Sequence, residues 1–161
     1  TRIGLPEVNF GILPAAGGVI RLTSVLGILP ALDFLTTGRA VDVEEALKTG
    51  LIHEITDTET TMMLRAKAWI LANPEVKQRW DQSQAKEFAS ALDRAAIESW
   101  VESEMSTAAA RITKVASESL LLDFDVASKI ETQGFVDLVV SDDAQAKIAA
   151  FFEANNRRRA S

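Results

Sequence analysis

Helix-breaking residues are spread very unevenly along this chain of 161 residues. Seven of its eight glycines and three of its four prolines lie before residue 56. Glycine supplies turns and helix stops, and proline interrupts helices and sheet ladders alike. A segment broken this often folds into short strands, turns and short helices. The rest is rich in Ala, Glu, Lys, Ser and Leu and reads as almost all helix. Residues 1–56 and 57–161 are therefore expected to differ in architecture, the second part being a helical region suited to packing or oligomerisation.

In the first part, Arg2–Val8 is an expected short strand that bends at Pro6. Gly17–Leu26 reads as a helix whose first backbone N–H groups are free, with Gly27 ending it. Pro30 suits the first position of the next helix, which stops at Gly38. Asp42-Val43-Glu44-Glu45 has the form of a capping box, and Gly50 closes the short helix behind it. Leu51–Ile55 looks like a short buried strand. In the second part, Thr58–Ala72 reads as a helix stopped by Asn73-Pro74. Residues 85–110 read as one long amphipathic helix. Phe88, Leu92, Ala96 and Trp100 form its stripe, with Ile97, Val101 and Met105 beside them. Asp125–Val140 and Asp142–Asn155 are two further expected helices, with Ser141 as the cap between them. Arg157-Arg158-Arg159 reads as a solvated tail or the start of a linker.

Composition narrows the function classes. Hydrophobic residues make up 47% of the chain, enough for a packed core. The formal net charge of −6 weighs against nucleic-acid binding, which draws on Lys and Arg. There is no cysteine, so no disulfide, thiolate nucleophile or zinc–cysteine site. A cytoplasmic location is the expectation that goes with this. No apolar run is long enough to span a membrane as a helix. His53 is the only histidine, so any histidine triad or multi-histidine metal site would have to use it. Within Leu-Ile-His-Glu-Ile it reads as a structural histidine. No carboxylate cluster has calcium-loop or two-metal spacing, and no metal site is expected. Trp69, Trp80 and Trp100 read as core or interface residues.

Two features in the opening stretch could carry chemistry. Glu7 stands among Leu5, Pro6, Val8 and Phe10. A carboxylate in apolar surroundings loses hydration, which raises its pKa and suits it to proton transfer near neutral pH. The alternative is a carboxylate that caps a turn or faces water, and local sequence leaves both open. Gly17-Gly18 would let a ligand or another backbone approach the start of a helix, where N–H groups bind an oxygen or anion. A tight turn without a ligand explains the pair equally. Dinucleotide and phosphate-loop glycine spacings are absent.

The ordered residues Pro6-Glu7, Gly11, Pro14-Ala15-Ala16-Gly17-Gly18 and Arg21-Leu22 resemble the crotonase, or enoyl-CoA hydratase/isomerase, family. Leu26-Gly27, Ala31-Leu32, Thr37-Gly38-Arg39-Ala40, Glu45-Ala46-Leu47 and Gly50-Leu51-Ile52 continue the pattern. Residues 124–152 are more loosely similar to the helical end of that domain in multifunctional fatty-acid oxidation proteins. The similarity there runs through Glu131, Phe135, Ser141-Asp142-Asp143-Ala144-Gln145-Ala146 and Phe151-Phe152.

The resemblance implies an α/β crotonase-like fold, represented here by the C-terminal half of the hydratase domain. This part would be predominantly α-helical, with a few short strands near its N-terminus. The implied activity is addition of water to a trans-2-enoyl-CoA, with Glu7 as general acid/base and Pro14, Ala15 and Gly17 lining the substrate. A second glutamate and at least one oxyanion N–H would come from an upstream segment, so the isolated piece is expected to be inactive. No cofactor is implied beyond the coenzyme A of the substrate, and NAD only if a dehydrogenase part follows. The implied partners are acyl-CoA, the N-terminal half of the domain, a second copy of the chain or a thiolase. Related chemistries of the family, isomerisation and thioester hydrolysis, stay open, as does a helical assembly module without activity. The family usually has Gly where Ala15 stands, which places the pocket wall in question if that position needs a positive φ.

Overall fold

The computed structural model describes residues 1–78, Ile97, Trp100 and 106–160. Strand β1 is Arg2–Gly4, and a 3₁₀ helix follows at Glu7–Phe10. Helices α1 (Gly18–Leu26) and α2 (Ile28–Thr37) lead to strand β2 (Ala40–Asp42) and helix α3 (Val43–Thr49). Helix α4 is Glu59–Ala72. Helices α5 (Thr107–Ser119), α6 (Phe124–Val139) and α7 (Asp142–Ala160) complete the described chain. Helix dominates, and both strands lie near the N-terminus, as the sequence led us to expect.

The sheet is one antiparallel pair with Ile3 opposite Val41. The expected strand Arg2–Val8 is therefore cut short at Gly4. Pro6 has no N–H to continue a ladder, and the chain turns into the 3₁₀ helix instead. The second strand is Ala40–Asp42, and Leu51–Ile55 is not a strand. Leu51 and Ile52 instead donate their N–H groups to the Ala46 carbonyl and wrap back over the end of α3.

Several helix ends behave as their sequences indicate. Asp42 accepts the Glu45 N–H at 2.8 Å, and Thr58 accepts the Thr61 N–H at 3.1 Å. Each such cap is worth about 1 kcal/mol. The capping box at Asp42 is only half formed, because the Glu45 side chain turns to Arg39. Arg39 bridges Asp33 and Glu45, each at 2.7 Å, and lies over the Phe34 ring. Pro30 sits at the third position of α2 rather than the first, still within the turn whose N–H groups need no helical partner. Ser141 accepts the Ala144 N–H at 3.2 Å and so separates α6 from α7.

The expected helix over residues 85–110 lies largely outside the described residues. Its far end is corrected: Ser106 has extended backbone and accepts the Ala109 N–H, so a new helix begins at Thr107. The arginines 157–159 belong to the last turns of α7 rather than to a tail.

The core is shared by both parts of the chain. Helices α1, α2, α5 and α6 pack together, and Leu13, Leu32, Leu35 and Ile112 are fully buried among them. Each such side chain contributes about 1.5–3 kcal/mol by leaving water. The buried stripe of α6 is Ala127, Glu131, Gly134 and Leu138, spaced to lie on one helical face. Helix α4 differs from the rest, because none of its residues is buried. No helix among the described residues is long and apolar enough to cross a membrane.

Candidate active site

Glu7 opens the 3₁₀ helix, so it stands at the end of a turn and not within a strand. The helix closes on Gly11, whose N–H reaches the carbonyls of Glu7 and Val8. Glu7 is half-buried. Its Oε2 is enclosed by the protein and has no hydrogen-bond partner. An enclosed carboxylate oxygen without a donor is costly to leave that way in a purely structural role. In a 3₁₀ helix residues i and i+3 eclipse, so Glu7 and Phe10 share a face. Phe10 meets Phe151 of α7 edge to face, with centroids 5.1 Å apart. Helix α7 thus braces the short helix that carries the carboxylate.

The segment after Gly11 runs from a fully buried Leu13 and a buried Pro14 to exposed Ala15 and Ala16, then to buried Gly17. Of the three residues expected to line substrate, only Ala15 presents its side chain to solvent here. Gly17 has φ 89° and Ala16 φ 56°. Ala16 is the only described non-glycine residue with positive φ. Holding Ala there costs about 1–2 kcal/mol. The concern over backbone strain therefore falls on Ala16 and not on Ala15. The Arg21 guanidinium donates to the Ala16 carbonyl, which helps to hold that conformation.

The N–H groups at the start of α1 are not free. Glu131 of α6 is 1% exposed and fills this position. Its Oε1 accepts the Gly17 N–H at 2.5 Å, and its Oε2 accepts those of Val19 and Ile20 at 3.0 and 3.2 Å. The anion that the Gly-Gly pair could bind is thus supplied from within the chain, 114 residues away. Burial lifts the Glu131 pKa above its ordinary value. The donors of Gly17, Ile20 and Val19 and the nearby Arg21 charge offset that only in part. Sequence reasoning gave Glu131 no role. The signal was present as a lone acid on the otherwise small and apolar stripe Ala127, Glu131, Gly134 and Leu138.

His53 is exposed, in a segment without regular structure, and does not sit at the end of a strand as expected. Trp69 is also exposed, whereas Trp100 packs partly buried against the core. Trp80 lies outside the described residues. Among the described residues no group of His, Asp and Glu is arranged to hold a metal ion.

The family model of enoyl-CoA hydratase/isomerase matches residues 1–97, which include the turn that carries Glu7 and the glycine-rich entry to α1. The chain belongs to that family. It is 54% identical over 59 residues to a peroxisomal bifunctional enzyme of Danio rerio, a match covering 37% of this chain and 8% of that protein. A solved enoyl-CoA hydratase from Geobacillus kaustophilus HTA426 is 27% identical, covering 95% of this chain and 47% of that one, with a TM-score of 0.39. The chain thus spans only a small part of its curated relative and about half of the solved structure.

Proposed function

We propose that this chain supplies Glu7 as the proton-transfer carboxylate of an enoyl-CoA hydratase site. The observation that carries this reading is the enclosed, unpartnered Oε2 of Glu7 on the family's Pro-Glu turn. In the proposed reaction, backbone N–H donors hold the thioester oxygen of a trans-2-enoyl-CoA and draw electrons away from C3. Water attacks C3 as a carboxylate takes one of its protons. The enolate then collapses as Glu7, entering the step protonated, delivers its proton to C2, and the proton taken from water passes back to Glu7 to restore the site. One water is consumed, with hydroxyl on C3 and hydrogen on C2. The second carboxylate and at least one oxyanion donor are expected from an upstream segment in the family pattern. In this reading coenzyme A arrives with the substrate and no resident cofactor takes part. The test is hydration of crotonyl-CoA by the full-length protein and its Glu7→Gln variant. Undiminished turnover in the variant removes Glu7 from the mechanism.

A second reading concerns the helical region. Helix α4 exposes Met62, Met63, Leu64, Trp69, Ile70 and Leu71. So much uncovered apolar surface on one helix marks an interaction face, and we assign α4 to assembly with a second subunit or an adjoining part of the same protein. Mass measurement in solution tests this. A strict monomer that hydrates enoyl-CoA with the face of α4 still open to solvent counts against it.

A further inference from the structure

Glu131 is the one fully buried carboxylate among the described residues, and the proposed reaction does not use it. It sits three residues before the close approach between α6 and the segment that follows Glu7. On one side, its two oxygens hold the N–H groups of Gly17, Val19 and Ile20. On the other, Gly134, next on the same face, lets α6 come down on Leu13. The segment Pro14-Ala15-Ala16 is therefore gripped at both ends by one face of one helix. Between the grips, the backbone holds a positive φ at Ala16, and Arg21 ties down the Ala16 carbonyl.

A simple helix cap would need neither the second grip nor the strain. What the arrangement does achieve is a rigid, exposed Ala15-Ala16 bridge at a set distance from the 3₁₀ helix that carries Glu7, since only Gly11 and Ile12 separate that helix from Leu13.

We propose that Glu131 is a positioning residue for substrate: by clamping the Leu13–Gly17 segment it fixes the wall against which the enoyl-CoA thioester lies beside Glu7. This rests on the hydratase reading above. Loosening the wall weakens the hold on substrate and leaves the proton-transfer carboxylate in place.

The test compares full-length wild type with Glu131→Gln and Ala16→Gly in crotonyl-CoA hydration, with the melting temperature of each. A role confined to stability lowers the amount of active enzyme, and so kcat, while KM stays unchanged. The clamp predicts the opposite split. Glu131→Gln raises KM by about tenfold or more and leaves kcat per folded enzyme within about twofold. Ala16→Gly frees the bridge, so KM rises while the melting temperature also rises. KM values of both variants within about twofold of wild type overturn the proposal. If Glu131→Gln fails to fold, the Ala16→Gly result decides alone. An inactive wild type overturns the hydratase reading and this proposal with it. An inactive Glu7→Gln enzyme beside unchanged KM in these two variants overturns the clamp only.

Discussion

Gly134 lies so close to Leu13 that a methyl group placed on it would come within 3.0 Å of Leu13 Cδ2, and within 2.9 Å of Val115 Cγ2. Three elements meet there: the segment after Glu7, α5 and α6. Gly134→Ala gains helix propensity of about 1 kcal/mol but overpacks a fully buried site, which costs about 1–3 kcal/mol. The expected result is a net loss of up to about 2 kcal/mol in urea unfolding. A variant more stable than wild type would show that α6 can retreat without penalty.

Ala16→Gly should do the reverse. Glycine accepts the positive φ without strain, although it enlarges the unfolded ensemble. The balance is a gain of about 0.5–1 kcal/mol. Chemical denaturation reads it directly, and a destabilised variant would mean that Ala16 does not hold this conformation in solution.

Glu131→Ala leaves the N–H groups of Gly17, Val19 and Ile20 without their acceptor in a buried site. Orphaned donors of this kind cost about 1–3 kcal/mol each before any relaxation. A loss of about 3 kcal/mol or more is expected, with faster amide exchange at those three residues. Unchanged exchange would show that water replaces the carboxylate without difficulty.

The same carboxylate makes stability depend on pH. Its folded pKa lies above the ordinary value of 4.5, so the folded chain holds that proton more tightly than the unfolded one. The associated stability is fully present below pH 4.5 and is lost as pH rises through the raised value. Glu131→Gln cannot ionise. The stability of wild type relative to Glu131→Gln should therefore fall as pH climbs from acid to neutral, measured by urea midpoints at matched pH. A difference that grows with pH would mean that the N–H donors outweigh burial.

Glu7→Gln is expected to lower hydration of enoyl-CoA by about 10²–10⁴-fold. Stability should change little, because the oxygen removed has no hydrogen bond to lose. A large drop in melting temperature would point instead to a structural carboxylate.

Much of the local structure was legible from single residues. Asp42, Thr58 and Ser141 announced helix starts because a short side chain with an oxygen outcompetes other residues for the first free N–H groups. Gly38 and Gly50 marked stops. The Pro-Glu turn and the glycine-rich entry to α1 pointed to the family. What stayed hidden was long-range. Val41 finds its strand partner Ile3 far away in sequence, whereas Leu51 and Ile52 fold back on α3 by donating to the Ala46 carbonyl. Glu131 was visible as an acid in an apolar stripe. Nothing local said that its partners would be Gly17, Val19 and Ile20. The helix N–H groups looked free because their acceptor lies in another element.

That long reach has a consequence for the order in which the molecule is made. Residues 17 and 131 stand 114 positions apart, so the start of α1 emerges during synthesis well before its acceptor exists. Contacts of this separation form late, after the chain has met the entropy of closing a large loop. Until α6 arrives, the glycine pair, the bridge and the turn that carries Glu7 can sample other arrangements. Acquiring the final geometry beside Glu7 is thus tied to completion of the C-terminal helices, which makes the far end of the chain the timer for maturation of its opening motif.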